Sequence, residues 1–158
     1  MAPRTSAGLL IYRRNPSGAV EVLLGHYGGP FWAGRDQGAW TVFKGRGHQG
    51  ETPLDTATRE FEEETGWEAP ANPWLPLPEV KAANQIMNIW AVEADFDPEG
   101  LLPGTFSMEW PPRSGRIREF PEIDRAQWFS VPEARVKVAS SQGALLDHLI
   151  RILGHSPL

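Results

Sequence analysis

The chain has no cysteine, which excludes disulfides, thiolate catalysis and every metal site built on sulfur. It also lacks an apolar run long enough to cross a bilayer, and Met1-Ala2-Pro3-Arg4-Thr5 is not followed by the pattern of a secretory signal. The expected location is the cytoplasm, with no membrane partner. Positive charge is in deficit: a net charge of −5 disfavours the basic footprint that broad nucleic-acid binding needs. A small phosphorylated ligand arriving with its own cation remains compatible with that balance. Repeats, linkers and low-complexity tracts are absent too, because the glycines and prolines fall between periodic segments. What is present is 158 residues, 41 % of them hydrophobic, enough for a core and read as a single domain over 1–158.

The most informative stretch runs from Gly45 to Trp67, a glycine-rich loop followed by the signals of one helix. Thr52 is placed to cap it, Pro53 suits its first position, Asp55 makes a shortened capping box and Gly66 stops it. Leu54, Ala57, Thr58, Phe61 and Thr65 recur at helical spacing and form the expected core face. Glu60, Glu63 and Glu64 stand at i, i+3 and i+4, where like charges destabilise an isolated helix. A hard divalent cation, bound through oxygen with positions left for water and phosphate, is the natural candidate to compensate them. Glu51 is expected to reach Arg59 and pin the loop to the helix.

Taken alone, a run of glutamates is a solvated helix face. This run sits in the spacing G-x5-E-x7-R-E-U-x-E-E-x-G-U, where U is bulky and apolar. Seven fixed identities at about 7 % usage each co-occur by chance roughly once in 10⁸ starting points. Gly45, Glu51, Arg59, Glu60, Phe61, Glu63, Glu64, Gly66 and Trp67 fill every defined position, and the chain here resembles the Nudix hydrolase family. Trp40-Thr41-Val42-Phe43-Lys44-Gly45 is similar to the strand that leads into that family's box. Two departures are visible: Phe43 stands where the family usually has proline, and His48 where it often has glutamate.

Around the box, Ala7 to Arg13 and Ala19 to Tyr27 read as a hairpin across Asn15-Pro16-Ser17-Gly18, the second strand packed mainly on one side. Gly28 to Gly38 is a loop whose Phe31 and Trp32 either stack on a nucleobase or staple the loop over the core. Ala39 to Lys44 is one short strand and Ala69 to Pro78 a loop around Trp74. Glu79 to Gln85 and Ile86 to Phe96 are strands with no good turn between them. Asp97 to Arg125 is turn-rich and combines Phe106, Trp110, Arg113, Arg116 and Arg118 with Glu119, Glu122 and Asp124. Such a set suits gripping phosphate, and also suits a surface loop whose charges pair locally. Gln127 to Val131 is a last short strand, Ser130 and Glu133 signal a capped helix, and Leu145 to Leu153 give a helical stripe ending at Gly154. His26, His148 and His155 read as packing or surface residues, and His48 as a phosphate contact.

Order and periodicity give an α+β class with a mixed sheet. The resemblance implies the Nudix-type α/β/α sandwich, the box on one side of the sheet and the C-terminal helix on the other. It also implies a bacterial branch described as predicted NTP pyrophosphohydrolases, on Ser6-Ala7-Gly8-Leu9-Leu10, Gly29-Pro30-Phe31-Trp32 and Glu109-Trp110-Pro111-Pro112-Arg113-Ser114-Gly115. The isopentenyl diphosphate isomerases of the same fold are disfavoured by the missing cysteine. The expected activity is metal-dependent cleavage of a pyrophosphate bond in a nucleoside diphosphate linked to another group. Mg²⁺ or Mn²⁺ is expected on Glu60 and Glu64, joined by Glu63 or a loop carbonyl near Gly45. Glu63 or Glu119 would act as base, with Glu122 after Glu119 as the family's additional acid. Arg59 is an orienter paired with Glu51. Lys44, Arg46, Arg113, Arg116 and Arg118 are expected to clamp phosphate, and Trp32 and Trp110 to serve as base platforms. A non-hydrolytic nucleotide-binding module and an RNA 5′-end pyrophosphohydrolase are the alternatives.

Overall fold

Asn15 turns the first two strands back on each other: its Oδ1 accepts from the backbone N–H groups of Ser17 and Ala19, both at 3.0 Å, and Gly18 supplies a φ of 88°. The computed structural model describes residues 4–154; His155 lies outside them. β1 (Arg4–Arg14) and β2 (Val20–Tyr27) are antiparallel near this turn, from Ile11↔Leu23 to Arg14↔Val20. They then part. The segment before the box wedges between them as two short strands, where the sequence reads as one over Ala39 to Lys44. β3 (Trp40–Thr41) pairs with β2 and β4 (Phe43–Arg46) pairs with β1. Val42 is the crossover. Its N–H goes to Gln142 Oε1 at 2.9 Å, while Gln142 Nε2 donates to Thr41 Oγ1 at 2.8 Å, so one buried amide satisfies the backbone where neither strand can.

The box helix α1 (Pro53–Thr65) follows. Beyond it come β5 (Trp74–Pro76), β6 (Val80–Ala82) and β7 (Gln85–Glu93), and β7 lies parallel to β1 over Arg4↔Gln85 to Tyr12↔Glu93. Trp74 therefore belongs to a strand inside the expected loop, with its Nε1 bonded to Pro70 O at 3.0 Å. Ala83, at a φ of 50°, and Asn84 form the turn between β6 and β7. An alanine in that conformation is an unusual turn signal. β8 (Thr105–Glu109) and β9 (Ile117–Pro121) make a separate two-stranded sheet in what reads as an irregular region. β10 (Ile123–Ser130) then closes the main sheet against β2, starting earlier than the Gln127 expected from the sequence.

The main order, β10-β2-β1-β7-β5, is mixed, and helices cover both faces. On one face α1 seals Leu9, Ile11, Leu23, Phe43 and Phe61. On the other, α2 (Val131–Lys137) and α3 (Gly143–Ile152) seal Leu10, Val22, Leu24, Trp40, Leu145, Leu146 and Leu149. β2 is thus buried on both sides, not mainly on one. Each large apolar side chain removed from water this way contributes roughly 1.5–3 kcal/mol. Phe43 earns its place in lieu of proline by meeting Phe61 edge to face, with ring centres 5.7 Å apart. This is the α+β sandwich expected for the sequence, and among the described residues no helix is long and apolar enough to cross a membrane.

Candidate metal and catalytic site

Local chemistry alone fixes the ends of α1. Thr52 accepts from the Asp55 N–H at 3.1 Å, and Gly66 adopts a φ of 75° with its N–H on Glu62 O. The loop before the helix is tied down by Glu51. Its carboxylate accepts from the His48 N–H at 2.9 Å, from Thr56 Oγ1 at 2.7 Å, and from Arg59 Nε and Nη2 at 2.7 and 3.0 Å. These bonds, Arg59's first, hold the Glu51 carboxyl well below the ordinary carboxylate range. Arg59 completes the lock by donating from Nη2 to Arg46 O at 2.9 Å and from Nη1 to Glu60 and Glu63 at 2.8 and 3.2 Å.

The acids on α1 occupy three different environments. Glu63 is the open one, Glu60 is largely covered, and Glu64 is buried at 8 % exposure. That last fact corrects the expected core face: Leu54 points outward, 50 % exposed, and Thr56 and Glu64 are buried with Ala57, Phe61 and Thr65. Burial raises the Glu64 pKa well above normal, and Glu60 and Glu122 push in the same direction, against partial relief from Lys44. Lys44 is itself shifted down by burial, with Glu64 and Glu60 opposing the shift. Glu64 Oε1 is buried without a hydrogen-bond partner among the described residues. Gly45 is where it is because the Glu60 carboxylate packs on its Cα; a Cβ there would overlap that group.

A fourth carboxylate joins from another part of the chain, and it is Glu122, not Glu119. The Gly104 N–H bonds Glu63 O at 2.8 Å, the Glu122 N–H bonds Gly104 O at 2.9 Å, and the Gly28 N–H bonds Glu122 O at 2.9 Å. This ladder carries the start of β10 onto the end of α1. Burial raises the Glu122 pKa, and the charges of Glu60 and Glu63 raise it further. Glu119 instead turns its Oε1 to Thr105 Oγ1 across the β8–β9 sheet, at 3.1 Å. A register irregularity between Ile123 and Arg125, at the start of β10, lies just beyond Glu122, and no local signal in the sequence announces it.

The candidate donors are therefore carboxylate oxygens, one of them buried and unpartnered, gathered about Glu60, which itself packs on Gly45. That composition suits a hard divalent cation. Among the described residues no three acidic or histidine side chains already converge as a finished cage, since Arg59 Nη1 lies between Glu60 and Glu63.

The sequence profile of the NUDIX domain matches residues 2–149. The chain belongs to the Nudix family. With its box complete it is a pyrophosphohydrolase acting on phosphoric anhydride bonds, and Nudix hydrolases generally use divalent metal ions. No curated protein sequence matches it significantly. Among solved structures, Caenorhabditis elegans Ap4A hydrolase in a binary complex superposes with a TM-score of 0.64 at 21 % identity, covering 96 % of this chain and 98 % of that one. A MutT/nudix family protein from Listeria innocua gives 0.64 at 16 % identity, covering 98 % and 96 %. The NUDIX domain of Shewanella oneidensis NrtR, solved with ADP ribose, gives 0.63 at 12 % identity, covering 97 % and 90 %. At these identities the likeness is one of fold.

Several expected substrate residues lie apart from the Nudix acids. Trp32 stacks on Tyr27, ring centres 4.7 Å apart, and packs on the core, so it serves as the staple of its loop. The Arg46 side chain is exposed and lines a cleft with Arg4 and His48 at the N-terminal end of α1. Arg113, Arg116 and Arg118 are on or beside the exposed turn of the β8–β9 hairpin, and Trp110 begins that turn. Lys44 alone of the expected cations is coupled to the acids. His26 is a packing residue, its Nδ1 2.9 Å from Asp124 and its Nε2 2.6 Å from Arg35 O.

The Arg59 fork reaches Glu51, Glu60, Glu63 and a backbone carbonyl together, a set that a lysine cannot reproduce. Arg59→Lys is expected to lower kcat by about 10- to 100-fold. Thermal unfolding should show the chain still folded. A kcat within twofold of wild type would mean the fork orients nothing that matters to the reaction.

Proposed function

We propose that this chain is a cytoplasmic, single-domain metal-dependent hydrolase that cleaves a pyrophosphate bond in a nucleoside diphosphate linked to another moiety. NTPs and dinucleoside polyphosphates are the first substrates to test, with Mg²⁺ or Mn²⁺ as the cofactor. The observation that carries this reading is the buried Glu64 carboxylate, one oxygen unpartnered, among Glu60, Glu63 and Glu122. Four acids in one place are of no use to a module that only binds a polyanion, because they repel it unless a cation intervenes.

Glu60, Glu63 and Glu64, with the backbone near Gly45, would hold the cation. When bound, it neutralises phosphate oxygens and makes a water acidic enough to attack phosphorus. Glu122 would accept a proton from the attacking water as the new P–O bond forms, and the anhydride P–O bond would break as the phosphate leaves. Its raised pKa brings it nearer the working pH of a general base than an ordinary glutamate. Lys44, already partly desolvated, meets the developing charge on the phosphate chain. Arg59 and Glu51 keep the loop and α1 in register throughout.

Glu122→Gln should therefore lower kcat by about 10²- to 10⁴-fold, while Glu119→Gln stays near wild type. In the parent protein, kcat should fall as the pH drops, because only the deprotonated Glu122 carboxylate can take the proton. Equal losses in the two variants, or a loss confined to Glu119→Gln, would reassign the base.

The reading as a whole is tested by chromatographic product analysis across NTPs, dinucleoside polyphosphates, ADP-ribose and nucleotide sugars. Products split at one phosphoanhydride bond, formed only with a divalent cation, are expected. Binding of a nucleotide without any product would favour the non-hydrolytic module. The exposed hairpin arginines keep RNA 5′-end cleavage as a second reading, for which turnover of a 5′-triphosphorylated RNA should fall steeply with salt.

A further inference from the structure

The β8–β9 hairpin stands outside the main sheet, and an isolated two-stranded ribbon is marginal by itself. It is nevertheless held in place at its base and stiffened at its tip. Phe106 packs beneath Gly29, where a Cβ would meet its ring. Phe31 meets Trp110 edge to face, ring centres 5.5 Å apart at 79°. At the tip, the Glu109 carboxylate accepts from the Arg113 and Gly115 N–H groups at 2.9 and 3.1 Å.

What this arm presents is apolar and cationic. Phe31 is 59 % exposed and Ile117 69 % exposed. Arg113, Arg116 and Arg118 enter none of the ion pairs among the described residues, and Arg118 lies over the Phe120 ring at 5.5 Å. The chain is acidic overall, so three guanidiniums outside any ion pair, beside the exposed Phe31 and the half-buried Trp110, are a local reversal of its charge.

Distance decides what they can touch. β9 leads straight into Glu122, and at about 3.3 Å per residue Arg118 is roughly 13 Å and Arg116 roughly 20 Å from that carboxylate along the chain. Arg116 and the turn beyond it are too far to grip the phosphates that react at the acids. They meet the ligand beyond them.

We propose that Phe31 and Trp110, with Arg116 and Arg118, form a second subsite that binds the distal nucleoside and adjoining phosphates of a two-base polyphosphate. The inference rests on the hydrolase reading for the position of the first phosphates. An aromatic edge-to-face pair at the end of a cationic track matches a ligand that is anionic in its middle and aromatic at its far end. A nucleoside triphosphate ends too soon to use it.

The test is calorimetric affinity with Mg²⁺ on a Glu122→Gln background, which slows turnover but keeps the residues proposed to hold the cation, comparing diadenosine tetraphosphate with ATP. Adding Phe31→Ser, an exposed loop change, should weaken diadenosine tetraphosphate by about tenfold or more and ATP by less than twofold. Arg116→Ser with Arg118→Ser should give the same selective loss if Phe31→Ser perturbs its loop. Equal effects on both ligands, no effect on either, or no binding of either would overturn the subsite. A 5′-triphosphorylated oligonucleotide that binds more tightly than diadenosine tetraphosphate, and is the ligand weakened by these changes, would overturn its two-base assignment. Turnover of the same two nucleotides by the Phe31→Ser chain with Glu122 intact separates the readings: unchanged hydrolysis of both would remove the subsite and leave the hydrolase standing.

Discussion

A Glu64→Gln chain should fold at least as well as the parent and lose at least a thousandfold in kcat. The two effects have one origin. Glu64 is buried beside Glu60 and Glu122, with one oxygen unpartnered, and a charge in that position costs several kcal/mol of solvation unless something opposes it. Glutamine keeps the shape and removes the charge. The pH dependence has a definite sign. The folded-state pKa is raised above the ordinary 4.5, so between the two values the native protein binds more protons than the unfolded chain. Without a divalent cation the parent should lose stability as pH rises from about 4.5 through the raised value, and the variant should lack that contribution. Mg²⁺ should raise the melting temperature of the parent at pH 8 by mass action, and leave the variant nearly unmoved. Thermal melts at pH 5 and 8, with and without Mg²⁺, separate this account from simple unfolding: a variant less stable than its parent at pH 8 without metal would contradict it.

Gly45→Ala should cut turnover sharply in a chain that still folds. Alanine tolerates the backbone of β4, yet its methyl would fall on the Glu60 carboxylate that Arg59 Nη1 holds from the other side. Glu60 has to move, and a displacement near 1 Å in a reacting assembly costs about 100-fold. Gly47→Ala is the control, since its methyl would meet only Thr56 Oγ1, at 3.2 Å. Steady-state kinetics should show kcat falling about 100-fold for the first and changing by less than threefold for the second. Comparable losses would mean that the loop resists any side chain and that the Glu60 contact is incidental.

What the sequence made legible is what short-range chemistry decides. Thr52, Pro53 and Gly66 set the ends of α1, Asn15 and Gly18 set the first turn, and Ser130 with Glu133 builds the capping box of α2. Glu51 and Arg59 could be paired from spacing because both lie in one loop–helix unit, and they are bonded as expected. The features that escaped depend on partners distant in the chain. Three acids at helical spacing look alike on paper, and it is the packing of α1 on β1 and β4 that leaves Glu64 buried and Glu63 open. Glu119 and Glu122 are three residues apart, and the backbone ladder through Gly104 and Gly28 selects the second. Trp32 and Phe31 are adjacent and aromatic; contact with Tyr27 and the core claims one and leaves the other for solvent. The β8–β9 hairpin had a faint signal in the alternation of Phe106 and Met108, both half-buried between exposed neighbours.

If Glu60, Glu63 and Glu64 hold a cation, the chain should use it to hydrolyse a phosphoanhydride. The most direct test is phosphate-product release by the wild-type chain across the nucleotide panel, titrated with Mg²⁺ and Mn²⁺ and run beside Glu64→Gln. Turnover of at least one substrate should rise with metal, vanish with chelator and collapse in the variant. Turnover that persists in Glu64→Gln, or a wild-type protein that binds nucleotide and metal and releases nothing, would contradict this assignment.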